Sequence, residues 1–512
     1  MLGTPRAWSA RIAGTSPSSR SASTLRSNRE CHVGPRRHRQ DSGSFGAGGE
    51  HRVLTRLASC DAIGVERAAP PGHPRGIPMS STPAPRRRRR DAASWLAGFA
   101  TALTGDQLFY LALTWAAAQV LPPIQVGLLL VCGAVPRALV LLFGGVLVDR
   151  AGPKPVIMLS DSIRTLIMAA AAVAVLVSAP GPLLLVVLVV GFGVVDGFFL
   201  PAVGAVPAFV VAPQSMARLQ AVRSVVYRGA PMLGAAIGGW LVAYGSFAGA
   251  LALAAGLFAL SVLALAVTRM VVPVAPAPEA PVARPEPGTS PSGSTRRLST
   301  NVAGVLAQVL EGLRTAAADP FLRVAIPVVT LLDLGLVGPS TAGPALVATA
   351  RHWGPGAAGA MLAATPAGAT VCAVVLIVRR PAARAGSGIV AGVAMTSVGL
   401  LGIGLAVLVD GAQGFALAVG SCALVGVAIG LYGTMIHTAL LQLTPAAQLG
   451  RVVALVALAS YIADPVSLAA TGLLEGHATG SSFIVGGLVV GVAALLAAGS
   501  SSVRSAALKI SE

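Results

Sequence analysis

The sequence predicts an all-α membrane protein whose twelve transmembrane helices form two six-helix pseudo-repeat bundles. Three observations carry that prediction. The 512-residue chain is 54% hydrophobic and only 11% charged, too little charge for the surface of a soluble domain. Its apolar residues gather into twelve runs, each close to the ~20 residues a helix needs to cross a bilayer. The segments between the runs alternate in charge, as loops on opposite sides of a membrane do.

Residues 1–91 precede the first run. They hold 17 arginines against six acids, which supplies +11 of the chain's +18. Arg, Ser, Gly and Pro dominate, with no helical or strand period, so a disordered basic tail is expected. Arg86 to Arg90 stand directly before the first span, where basic residues hold an N-terminus in the cytoplasm. Met79 is an alternative start, in which case residues 1–78 belong to an over-extended gene model. The remaining basic residues lie mostly between apolar runs. That is the signature of membrane topology and excludes a nucleic-acid footprint.

The runs lie near 94–119, 123–147, 156–178, 181–209, 219–244 and 247–269, then 321–346, 354–378, 387–408, 412–440, 450–474 and 480–500. The first six make an N-terminal bundle over 92–270 and the last six a C-terminal bundle over 317–500, with a cytoplasmic tail at 501–512. One set of connections carries Arg150, Lys154, Arg218, Arg269, Arg314, Arg379, Arg380, Arg384 and Arg451; the other carries Arg351 alone, with Asp410 and Glu475. Both termini are therefore expected in the cytoplasm of a multi-pass plasma-membrane protein. A linker over 271–316 joins the bundles. It opens with seven prolines between Val271 and Ser294 and ends in an amphipathic pattern over Asn301 to Ala316 that predicts a short helix on the inner surface.

Between spans two and three, GGVLVDRAGPKPVIMLSDSIR runs from Gly144 to Arg164. Apolar sequence stops at Asp149 and Arg150, a tight turn carries Gly152, Pro153 and Lys154, and apolar sequence resumes. Gly152 suits a backbone position with φ > 0, and proline at 153 or 155 suits the first turn of a helix. A turn this short joins antiparallel helices, and Asp161 and Arg164 share one face of the second. The pattern of Gly145, Leu147, Asp149, Arg150, Gly152 and Lys154 resembles the loop signature of the major facilitator superfamily, with Pro153 where that family usually has a second basic residue. Ser160-Asp161-x-x-Arg164, and Gly450-Arg451-Val452 at the start of span eleven, resemble its drug- and macrolide-efflux branch. Gly234 to Gly239 of span five resembles the exporter signature of the antiporter members, with Ala235 in place of proline; small residues at this spacing also serve close helix packing. The resemblance covers residues 94 to about 500. It implies a gate built from Gly145, Asp149, Arg150, Gly152, Lys154, Asp161, Arg164 and Arg451, in which Asp149 docks on the cytoplasmic end of span eleven.

Ionisable groups inside spans are costly and mark function by default. Asp106 lies mid-way along span one, beside Gln107 and one turn before Tyr110. A carboxylate there either exchanges a proton during transport or pairs with a neighbouring helix. Asp333 of span seven and Asp196 of span four are the other candidates for proton coupling. Asp464, before Pro465, reads as the cap of a kinked half-helix. Arg137, Arg164 and Arg228 require partners, and structural ion pairs are expected, with substrate contact as the alternative role. Arg223 is expected to snorkel to the headgroups, and His437 to bond a neighbouring helix. Spans five and eleven look alike (ARLQAVRSVVYRGAP and GRVVALVALASYIADP), each with a mid-span tyrosine. Tyr227 and Tyr461, with Gln107, Tyr110, Arg137 and Arg228, are the expected lining of a substrate cavity at the repeat interface.

These features predict a secondary transporter, not an enzyme: a proton-coupled exporter, or antiporter, of small, largely apolar organic compounds such as drugs or natural products. The alternatives are an uncoupled or importing permease and a non-transporting membrane sensor or anchor. The partners expected are a small-molecule substrate, protons and the lipid bilayer, with the chain acting as a monomer. No cofactor or metal is expected. The five cysteines are scattered and the two lysines, Lys154 and Lys509, precede proline and isoleucine, so neither a metal spacing nor a nucleotide-binding loop is encoded.

Overall fold

A computed structural model describes residues 85–178, 180–211, 213–244, 246–270, 314, 317–379, 385–444 and 446–505. Apart from Arg314, the linker and its amphipathic segment lie outside them, as do the tail before Pro85 and the final residues. The described residues form helices and no strands. Twelve of the helices are long: α1 (Pro85–Val120), α2 (Pro123–Ala151), α3 (Pro153–Val177), α4 (Pro182–Ala205), α5 (Met216–Ala243), α6 (Phe247–Val267), α7 (Leu322–Thr341), α8 (Pro355–Arg379), α9 (Ala385–Ala406), α10 (Gly411–Leu443), α11 (Ala446–His477) and α12 (Ser481–Gly499). Eleven are apolar and long enough to cross a membrane. The twelfth, α1, has its apolar run broken by Thr104, Asp106, Gln107 and Tyr110.

Each apolar run of the sequence is one of these helices, with differences at the ends that proline explains. α1 begins at Pro85, ahead of the tail boundary expected at residue 91, because proline fits the first turn and arginines are good helix formers. The seventh run divides at Ala342, after which Gly343–Ala350 forms a separate helix with Pro344 in its first turn. The fourth ends at Ala205, and Pro207–Val210 makes a separate turn of helix.

The helices form two clusters, each with its own core. In the first, α1 packs on α5 and α6, α2 on α4, and α3 on α4 and α6; in the second, α9 packs on α10 and α12, α8 on α10, and α7 on α11 and α12. The halves meet along two seams, α2 against α11 and α5 against α8. The seams close through glycine. A Cβ on Gly127 would lie 2.7 Å from the Leu468 carbonyl and 2.9 Å from Gly472 Cα, and one on Gly239 would lie 2.8 Å from Gly359 Cα. Backbones this close admit no side chain. Gly127 and Gly359 are near the starts of α2 and α8, and Gly239 and Gly472 near the ends of α5 and α11; Gln119, at the end of α1, donates a 3.1 Å hydrogen bond to Thr349. Towards the other end of these helices, Asp149, Val222, Val225 and Val453 are exposed.

The α2–α3 turn follows the expected chemistry. Gly152 has φ +81° and Pro153 opens α3. Lys154 Nζ donates to the carbonyls of Ala266 (3.2 Å) and Thr268 (2.7 Å), tying the turn to the end of α6.

Candidate functional site

Five helices of the first half converge on one buried charge cluster. α1 supplies Asp106, α2 Arg137, α3 Asp161 and Arg164, α4 Asp196, and α6 Ser261. Glycine makes the convergence possible: a Cβ on Gly197 would fall 2.8 Å from the Arg137 carbonyl oxygen, so α2 and α4 touch backbone to backbone beside Asp196. Arg164 is the hub and is wholly buried. Its Nη1 lies 3.3 Å from Asp106 Oδ1 and 3.5 Å from Asp161 Oδ1, and its Nη2 donates to Asp196 Oδ1. Arg137 Nε stands 2.8 Å from Asp196 Oδ2, a charge contact without the alignment of a hydrogen bond. Ser261 Oγ donates to Asp161 Oδ2 at 2.6 Å.

Aromatic rings complete the surroundings of Arg164. Its guanidinium carbon is 4.3 Å from the ring centre of Phe199, 5.0 Å from Phe192 and 5.5 Å from Phe258, so the π faces share the charge that the carboxylates hold. A guanidinium in an apolar bundle is tolerable only with partners of this kind.

The cluster is graded in exposure. The side chains of Arg164 and Asp161 are 0% exposed and that of Asp196 6%, against 18% for Asp106 and 34% for Arg137. Those last two face a cavity of about 550 Å³ between the halves, within the range of small-molecule sites. All the other expected lining residues are there as well, Gln107, Tyr110, Tyr227, Arg228 and Tyr461, together with Asp196. The remainder of the wall is mainly apolar, including Leu103, Leu130, Val189, Val337, Leu362 and Leu468.

Asp161 and Arg164 share one face of α3, as expected, and lie inside the charge cluster. Several expectations are corrected. Arg228 has no ion pair among the described residues, unlike Arg137 and Arg164. Asp464 caps no half-helix: α11 runs unbroken through Pro465, and the carboxylate lines the cavity. His437 bonds the Gly433 carbonyl of its own helix at 2.8 Å, not a neighbouring helix. Asp333 is not among the residues lining the cavity, and Ser460 Oγ donates to it at 2.5 Å. Asp149 and Arg150 are exposed and Gly145 has no close neighbour; the side chain of Arg451 lies outside the described residues. Two participants escaped the sequence reading, Ser261 and Ser460. Ser261 had a visible signal, since it is the one polar residue within Phe247–Val267.

Residues 95–468 match the model of the Major Facilitator Superfamily. No curated protein matches the chain by sequence. Among solved structures it is similar to one that gives structural insights into substrate recognition in proton-dependent oligopeptide transporters, with a TM-score of 0.60, 12% identity, and coverage of 81% of this chain and 99% of that one. It is also similar to a bacterial homologue of the iron transporter ferroportin in an inward-facing state (TM-score 0.57, 15% identity, 80% of this chain and 98% of that one). The inward-open xylose transporter XylE from E. coli gives a TM-score of 0.56 at 13% identity, over 80% of this chain and 94% of that one. At these identities the likeness is one of fold.

Proposed function

The chain belongs to the major facilitator superfamily, and on that premise we propose that it is a proton-coupled exporter of small, largely apolar organic compounds, of the drug- and macrolide-efflux kind. It is a multi-pass membrane transporter; direction, coupling and substrate are the further steps. The observation that carries coupling is the composition of the buried cluster. Asp106, Asp161 and Asp196 surround two guanidinium groups, Arg137 and Arg164. With every carboxylate ionised the cluster holds one uncompensated negative charge in a low-dielectric bundle, and one proton removes it. Of the cluster's carboxylates Asp106 is the most exposed to the cavity, so protons enter and leave through it.

Alternating access supplies the cycle. The glycine-sealed seams close one end of the cavity, and Pro85 at the start of α1 and Gly499 at the end of α12 lie towards the other. With the positive-inside topology, which puts both termini and the linker over 271–316 in the cytoplasm, this is an inward-open arrangement. Release of the Gly127–Gly472 and Gly239–Gly359 contacts opens the outer end. Closure of the inner end brings Asp149 to the start of α11. One charge crossing 100 mV is worth about 2.3 kcal/mol, to which a pH gradient adds. The chain works as a monomer in the plasma membrane.

Cellular accumulation of a panel of dyes, macrolides and siderophores, with and without an uncoupler, tests this reading. The expected result is lower accumulation of at least one apolar compound, lost on uncoupling. Export that resists the uncoupler supports the uncoupled alternative, and accumulation raised by the protein supports an importer. For topology, Ser290→Cys should resist an impermeant thiol reagent in intact cells while His352→Cys reacts; the reverse pattern overturns the orientation.

A further inference from the structure

The cavity's two unengaged charges are of opposite sign and come from different halves of the bundle. Arg137 and Arg164 are taken up by the aspartates of the first half, and Asp333 is not a lining residue and accepts from Ser460. That leaves Arg228 on α5 and Asp464 on α11, both lining the cavity and neither with an ion-pair partner among the described residues. The two helices are related segments of the halves. α5 reads Tyr227-Arg228-Gly229-Ala230-Pro231 where α11 reads Tyr461-Ile462-Ala463-Asp464-Pro465, and both tyrosines and both prolines line the same cavity. The same tyrosine–proline frame thus presents a cation from one half and an anion from the other.

An unpaired charge beside an apolar cavity is expensive unless a ligand compensates it. A purely cationic ligand would satisfy Asp464 and crowd Arg228, and a purely anionic one would do the reverse. A ligand with both charges satisfies both residues, and its body rests on the lining leucines and valines. We propose that the cavity selects amphipathic zwitterions, with the acidic group toward Arg228, the ammonium toward Asp464 and an apolar middle. This rests on the reading of the cavity as the transport site and narrows its substrate class.

The test uses the full chain in lipid nanodiscs and three probes of nearly one shape: biphenylalanine, its methyl ester (a cation) and its N-acetyl derivative (an anion). Equilibrium binding is measured with no gradient present, so the result stands apart from whether the protein exports anything. Biphenylalanine is expected to bind about tenfold or more tightly than either derivative, the scale of one charge-assisted hydrogen bond. Arg228→Gln should abolish its advantage over the ester, and Asp464→Asn its advantage over the N-acetyl compound. Equal binding of all three, tighter binding of a singly charged probe, or binding of none overturns the proposal. The wild-type comparison decides even if a variant fails to fold. Uncoupler-sensitive export of other compounds alongside any of those results would leave the transporter reading intact and remove only the zwitterion.

Discussion

Arg164 Nη1 and Asp106 Oδ1 lie 3.3 Å apart, one side chain wholly enclosed and the other 18% exposed to the cavity. The pair joins the most enclosed member of the cluster to its most exposed carboxylate. A change of protonation at Asp106 is therefore felt at Arg164, and through it at Asp196 and Asp161, which belong to α4 and α3. Four helices of the first half share one electrostatic centre.

Arg164→Met is the severest test of that centre. It preserves bulk but leaves Asp106 and Asp161 without a guanidinium and Asp196 with Arg137 alone. Removing one partner of a buried ion network costs about 3–5 kcal/mol. The purified variant should elute largely as aggregate, or unfold at a markedly lower temperature than wild type. A wild-type unfolding temperature would show that the cluster contributes little to holding α1, α3 and α4 together.

Gly127→Val tests the seal. Its Cβ would be 2.7 Å from the Leu468 carbonyl and 2.9 Å from Gly472 Cα, with two methyl groups beyond. Overpacking of this kind costs about 1–3 kcal/mol, so the state with that end closed should lose about 5- to 150-fold in population relative to the open one. A cysteine placed at Gln119 reports it through faster labelling by an impermeant reagent from outside. Unchanged labelling would mean that the α2–α11 seam does not part during the cycle.

Asp149→Asn tests the gate. Asp149 is exposed and has no ion pair among the described residues. At the start of α11 its carboxylate would meet a helix N-terminus bearing about +0.5 charge and gain about 0.3–1 kcal/mol. The variant should stay folded, favour the inward-open state by about two- to fivefold, and export less. Unchanged export together with unchanged accessibility from the inner side would make Asp149 a turn residue only.

The bilayer made much of this legible in advance. Long apolar runs must be helices because no water satisfies the backbone inside a membrane, so α2 to α12 could be read directly. α1 needed the argument that Asp106, Gln107 and Tyr110 are tolerated for function. Intramembrane charges stood out one at a time for the same reason, and Asp106, Arg137, Arg164 and Asp196 were each singled out. Their meeting was not legible, because it depends on which helix faces pack, and contacts such as Gly197 against α2 decide that. Asp161 shows the cost: it reads as the helix neighbour of Arg164, and its bond from Ser261 of α6 is not visible in the sequence. Glu475 is similar. As sequence it is an acid in an outer connection; in the structure it accepts the backbone N–H groups of Gly480 (2.8 Å) and Ser482 (3.2 Å) at the start of α12.

The central claim is that the transported proton rides on Asp106. Asp106→Asn keeps the shape and most of the hydrogen bonding of the side chain but cannot titrate, and its neutral amide also removes the cluster's excess negative charge. The direct measurement is substrate transport by purified protein in proteoliposomes, comparing downhill exchange with uphill movement driven by an imposed pH gradient. For Asp106→Asn, exchange should persist within a few-fold of wild type while uphill accumulation falls to the level of protein-free vesicles. Full uphill accumulation by this variant, abolished by an uncoupler as in wild type, would contradict the account.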